Sequence, residues 1–82
     1  MKRIRFSPNA PAEVRSIDKE SALRILKALH RYAETGQGDV KALTGEFSGL
    51  FRLRAGHYRV IFEESVEVIT VHRVAHRGDV YR

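Results

Sequence analysis

From Leu50 to Tyr81 the chain reads LFRLRAGHYRVIFEESVEVITVHRVAHRGDVY, and apolar and polar positions alternate along most of it. Phe51 and Leu53 alternate with Arg52 and Arg54; Tyr58, Val60 and Phe62 alternate with His57 and Arg59; Val66 to Ala75 is dense in β-branched residues. A period of two predicts strands, here three in an antiparallel meander with Ala55-Gly56 and Glu64-Ser65 at the turns. Upstream, Lys2 to Phe6 alternates as a short strand with Ile4 and Phe6 inward. Ser7-Pro8 opens a short helix from Pro8 to about Arg15, with proline at its first position. Asp18 or Ser16 caps a longer helix in which Ala22, Leu26, Leu29 and Ala33 recur at helical spacing, flanked by Leu23, Ile25 and Tyr32. Lys19, Arg24, Lys27 and Arg31 mark its wet face, and Gly36 closes it. Residues 37–49 are a glycine-punctuated loop, anchored by Leu43, with Lys41 near the edge of the sheet. The expected fold class is α+β within a single domain spanning residues 1–82. An N-terminal strand, two helices and a three-stranded antiparallel meander follow in order, with the helices covering one face of the sheet and the other face open.

Two-residue turns would set the register. Arg54 then stands opposite His57, Leu53 opposite Tyr58, Arg52 opposite Arg59 and Phe51 opposite Val60, while His57 faces His72 across the second hairpin. One face becomes Phe51, Leu53, Tyr58, Val60, Phe62, Ile69 and Val71, which is core. The other carries Arg52, Arg54, His57, Arg59, Thr70 and His72 beside a small apolar patch of Leu50, Ile61 and Val68. Arginines directly across strands repel each other, and an anionic ligand would relieve the repulsion. A solvated charged face is the ordinary alternative for an antiparallel sheet, and spacing alone leaves both open.

Charge sharpens this picture. Fifteen Lys and Arg against ten Asp and Glu give a formal +5, which suits a polyanionic or acidic partner, or serves only to keep the domain in solution. There is no cysteine, so neither disulfide nor thiolate chemistry is available. No stretch approaches the about 20 apolar residues of a membrane span, and MKRIRF is not followed by the apolar run of a signal peptide, so a cytoplasmic protein is expected. No phosphate-binding glycine loop is present, and no carboxylate pair falls at a useful spacing on the open face. His57, His72 and His76 are suitable zinc donors by type, but no carboxylate completes the set and neighbouring arginines repel a cation. Neither a metal nor a cofactor is expected.

Leu43-Thr44-Gly45, Leu50-Phe51-Arg52-Leu53-Arg54, Tyr58-Arg59-Val60-Ile61-Phe62, and the ending His76-Arg77 with Val80-Tyr81 together resemble the RelE branch of the RelE/ParE toxin superfamily. The resemblance covers nearly the whole chain and is most specific in RLRAGHYRVIF and HRGDVY. It implies a ribosome-dependent endoribonuclease that cuts messenger RNA in the ribosomal A site without a metal, held in check by a small cognate antitoxin. Position by position, it implies catalytic roles for Arg52, Arg59, Arg77 and Tyr81. A basic residue that some members carry two positions before Arg52 is Leu50 here, and the chain ends at Arg82 without the C-terminal helix of longer members. RNA cleavage asks little more of a protein. The 2′-hydroxyl is the nucleophile, so the protein must align it, move two protons and stabilise charge at phosphorus. His76 is a further candidate for proton transfer, and Arg54, Lys41, His57 and His72 are candidate RNA contacts. The expected partners are an acidic antitoxin, the ribosome and messenger RNA. The alternatives are a ParE-like inhibitor of DNA gyrase, which shares the fold but generally lacks the basic cluster with the terminal tyrosine, and a basic RNA-binding module without catalysis.

Overall fold

The computed structural model describes residues 1–81, and Arg82 lies outside the described residues. The elements are β1 (Arg3–Phe6), α1 (Ala10–Arg15), α2 (Lys19–Thr35), β2 (Val40–Ala42), a 3-10 turn (Gly45–Phe47), β3 (Phe51–Ala55), β4 (Tyr58–Glu64) and β5 (Val68–His76). The strands form one sheet in the order β1-β5-β4-β3-β2, with β1 parallel to β5 and every other pair antiparallel. The sheet is therefore five-stranded and mixed, larger than a three-stranded meander with a separate leading strand. The region read as a loop supplies β2, in which Lys41 pairs with Arg52.

α2 starts where Asp18 accepts a hydrogen bond from the Ser21 amide at 3.0 Å and stops at Gly36, whose φ of 77° is left-handed. α1 starts two residues later than expected, with Asn9 at its N-cap position but making no side-chain cap hydrogen bond, and with Pro11 in its first turn. Ser7 does not cap it; the Ser7 amide and hydroxyl instead donate to the carbonyls of Val71 and His72, extending the β1–β5 edge. α2 packs across β1, β4 and β3 on one face, and α1 lies against β5. Ile25, Leu29 and Ala33 of α2 meet Leu53, Val60, Phe62, Ile69, Val71 and Val74 of the sheet in the core. Leu26, placed in the apolar stripe by spacing, sits instead on the exposed shoulder of the helix, and Ile25 takes the buried position.

Both turns differ from the expected ones. The β3–β4 turn is Gly56-His57, which pairs Leu53 with Val60, Arg52 with Ile61 and Arg54 with Arg59. Gly56 holds φ 62°, and among the described residues only glycines adopt a positive φ. That fits a type II′ turn with glycine at its first central position, whereas Ala55-Gly56 at the centre of a type I′ turn would force a left-handed alanine. The next connection is longer: Ser65 and Val68 close it with an amide-to-carbonyl bond of 2.8 Å, and Val66 is 89% exposed rather than part of a strand.

Neither shift changes which side chains face the helices, because the pairings move by whole two-residue steps. What does change the faces is a β-bulge in β5: Phe62 pairs with Val71, but Ile61 pairs with Arg73, so His72 is extra. Strict alternation from Ile69 and Val71 would drive Arg73 into the core. The bulge sends Val74 there instead (2% exposed) and leaves Arg73 only half-buried. Beyond Phe6 no strand among the described residues pairs with this edge of β5, and Glu13 of α1 takes that place by accepting the Val74 amide at 2.8 Å. Among the described residues no helix is long and apolar enough to cross a membrane.

Candidate functional site

The register lays out the uncovered face in rows across the strands. One row runs Arg54–Arg59–Ala75 and the next runs Lys41–Arg52–Ile61–Arg73. The cross-strand arginine pair expected between Arg52 and Arg59 is thus Arg54 and Arg59. Arg77 follows the end of β5, where its amide donates to the His57 carbonyl at 2.8 Å. Four guanidinium groups consequently share one field. Partial burial, and then the charges of Arg54, Arg52 and Arg77, push the Arg59 guanidinium below its ordinary value, with Asp39 opposing. Arg59 stays charged even so, and its Nη1 donates to the carbonyls of Gly56 (2.9 Å) and Tyr58 (3.0 Å), which fixes the head group beside the turn.

Asp39 is a residue the sequence reading passed over. Arg52 Nη2 donates to Asp39 Oδ1 at 3.4 Å, and Arg54 Nη1 lies 4.0 Å from Oδ2. Arg52 is the less exposed of the pair, with its side chain 17% exposed against 56% for Asp39. The backbone holds the carboxylate there, since the Arg54 amide donates to the Asp39 carbonyl at 2.9 Å.

The histidines separate. His57 is in the turn and does not face His72. It stacks on His76, with ring centroids 6.3 Å apart. His76 pairs with Tyr58 and meets its ring edge-on at 5.6 Å, so it lies at the sheet's end on the side of Tyr58 and not in the row of Arg59. His72, the extra residue of the bulge, lies 3.3 Å from Glu63. Among the described residues no three metal-ligating side chains converge.

Tyr81 stands beside the second row. It lines a depression of ≈ 370 Å³ with Phe47, Leu50, Ile61, His72 and Val80, and its ring centroid is 5.5 Å from that of Phe47. Tyr81 is placed by the protein itself, near the end of the chain: Val80 is buried beside it and the Phe47 ring supports it, although Tyr81 is 48% exposed. Val80 and its neighbours also cover Ile61, leaving it 4% exposed where an open apolar patch was expected. Arg73 secures this ending from below. Its Nε donates to Glu13 Oε2 at 3.2 Å and its Nη1 to the Val80 carbonyl at 3.2 Å. Arg73 was missed because strict alternation gives it no place on this face; the spacing of Val71 and Val74 around two polar residues was the available signal of a bulge.

A helix-covered sheet of this order is the fold of a group of small toxins. The RelE–RelB complex of the archaeon Pyrococcus horikoshii contains a chain 25% identical to this one, with a TM-score of 0.77 over 96% of this chain and 98% of that one. The RelB–RelE antitoxin–toxin complex of Methanococcus jannaschii matches at 21% identity and a TM-score of 0.76, over 94% of each chain. The YoeB–YefM complex of Staphylococcus aureus matches at 19% and 0.77, over 93% and 97%. No curated protein matches by sequence. A family model described as the ParE toxin of a type II toxin–antitoxin system, parDE, matches residues 4–81, and the chain belongs to this family of toxins, within the RelE/ParE superfamily. The identity to the Pyrococcus protein, over nearly all of both chains, puts it on the RelE-like side.

Proposed function

We propose that this toxin is a metal-independent endoribonuclease that cleaves messenger RNA in the ribosomal A site. The observation that carries the reading is the group of four arginines, Arg52, Arg54, Arg59 and Arg77, gathered on and beside the open face, with Arg54 and Arg59 paired directly across the strands and Arg77 tied to the turn beside them. Such a group is costly for an empty sheet and suited to a phosphodiester. In the proposed reaction the ribose 2′-oxygen attacks the adjacent phosphorus as its proton leaves. The P–O5′ bond breaks and the departing oxygen is protonated, giving a 2′,3′-cyclic phosphate and a 5′-hydroxyl. Arg59 and Arg77 bear the charge that develops at phosphorus, and Arg52 holds the backbone. Tyr81 orients the nucleotide or exchanges a proton through its hydroxyl. Arg54, Lys41 and His72 extend the RNA contact along the face, and His57 and His76 contribute at the turn end. RelE and YoeB are seen in complexes with RelB and YefM, and by the same token we assign this toxin a cognate antitoxin, acidic enough to cover a +5 surface.

The family description names ParE, which favours one other reading, a gyrase inhibitor without nuclease chemistry. Induced expression followed by mapping of messenger RNA 5′ ends separates the two. Cuts within the codons of translated messages support the nuclease. Intact messages together with loss of DNA supercoiling by purified gyrase would replace it with the second reading.

A further inference from the structure

Asp39 is a carboxylate placed where a phosphate would be welcome. It immediately precedes β2, opposite Arg54 across the strand edge, within pairing distance of Arg52 and Arg54 and inside the field of Arg59. Neither local geometry nor burial requires an acid there: the residue is more than half exposed, and its backbone contact to Arg54 uses the carbonyl, which any residue supplies. We infer that Asp39 is a built-in counter-ion of the arginine group, holding Arg52 and Arg54 in register in the free protein and competing with the phosphodiester backbone of an incoming single strand.

The electrostatics cut two ways. In the unliganded protein a carboxylate among four like charges offsets part of their repulsion, and it fixes Arg52, which would otherwise have to be ordered by the ligand. Once a phosphate lies between the same guanidinium groups, the carboxylate repels it at short range. Arg52 and Arg54 must then exchange one anion for another. Stray polyanions are discouraged by this exchange, whereas a backbone that engages Arg59 and Arg77 at the same time gains enough to displace the acid. The role is one of positioning and selectivity; no proton transfer is assigned to Asp39.

The inference rests on the proposed use of this face for RNA, and the test keeps the two apart by using an all-deoxy oligonucleotide, which lacks the nucleophile and is not cut. Its binding to the parent protein and to Asp39→Asn is measured by fluorescence anisotropy at several salt concentrations, with melting curves of both. Asp39→Asn should bind about fivefold more tightly at low salt, lose that advantage near about 1 M salt, and melt at a lower temperature. Asp39→Glu should return the affinity toward that of the parent. In the parent, the carbon-13 resonance of the Asp39 carboxylate should move as the oligonucleotide is added. Equal or weaker binding by Asp39→Asn, or a stationary carboxylate resonance while the parent binds, overturns the inference and leaves the nuclease reading intact. A large loss of RNA cleavage by Asp39→Asn at unchanged oligonucleotide affinity also overturns it, since that outcome marks a proton carrier. A parent that neither binds the oligonucleotide nor cuts RNA overturns both.

Discussion

At Arg59, partial burial and three neighbouring arginines act against the guanidinium's own charge. A side chain kept for stability would not sit there, and this gives a substitution two separable readouts. Arg59→Ala should lower single-turnover cleavage of A-site messenger RNA on programmed ribosomes by roughly 10²–10³-fold, the scale for losing one charge-stabilising donor. Its melting temperature should hold or rise, because a like charge has been removed from the cluster. Arg77→Ala should slow the cut by a similar factor. Parent-like rates in both variants would remove the chemistry from this face. Tyr81→Phe keeps the ring against Phe47 and deletes the hydroxyl, so slower cleavage at unchanged ribosome affinity would assign the hydroxyl itself. His76→Ala is the control for an imidazole acid or base, since its ring lies against Tyr58 and His57. At this scale the arginines were legible because charge on alternate strand positions points to one face. Asp39 and Arg73 were not: Asp39 depends on a short strand hidden in a glycine-rich stretch, and Arg73 on a bulge.

Pairs of elements carry the next set of consequences. The core between α2 and the sheet is built on Phe62, fully buried, with its ring 5.5 Å from Tyr32 and 5.6 Å from Phe51. Phe62→Ala should cost about 3–5 kcal/mol of unfolding free energy in urea titrations, and a loss below about 1 kcal/mol would mean that these contacts do not hold the helix to the sheet. A second tie joins the residue before β1, α2 and β4 through one carboxylate: Glu64 accepts from the Tyr32 hydroxyl at 2.7 Å and pairs with Lys2. Burial pushes the Glu64 carboxyl up, but the hydrogen bonds from Lys2 and Tyr32 and the Lys2 charge together hold it below its ordinary 4.5. Burial and the same carboxylate push the Tyr32 phenol up to about 12. A depressed folded-state value means that Glu64 stabilises the fold above about pH 4.5 and that this contribution fades as pH falls through the lower folded value. Melting temperatures of the parent should therefore drop faster than those of Glu64→Gln below about pH 4.5, and parallel curves would deny the link. Faces and helices were readable because a period of two or of 3.6 survives a shift of register by whole steps. The register was not, because it hangs on whether Gly56 takes the first or second central position of its turn, and only the first spares Ala55 a left-handed backbone.

For the whole molecule, the question is what a chain of formal charge +5 does when it meets its partner. The positive charge is not spread evenly. Lys41, Arg52, Arg54, Arg59 and Arg77 lie on or beside the face that the helices leave open, while the acids Glu13 and Glu64 are spent inside the fold on Arg73 and Lys2. An acidic antitoxin that covered this face would neutralise the field and block the proposed reaction in one step. Attraction of this kind acts at a distance and is screened by salt over about 8–10 Å near physiological ionic strength, whereas apolar contacts are not weakened by it. The association rate of the toxin with its cognate antitoxin should therefore fall as salt is raised from about 50 mM to about 500 mM, with a smaller change in the dissociation rate. Surface plasmon resonance across that range gives both rates directly. The toxin carrying Arg52→Ala and Arg54→Ala should show a shallower salt dependence of association. If the parent and this variant respond to salt alike, the antitoxin approaches by another surface, and inhibition of the open face would have to act through the fold.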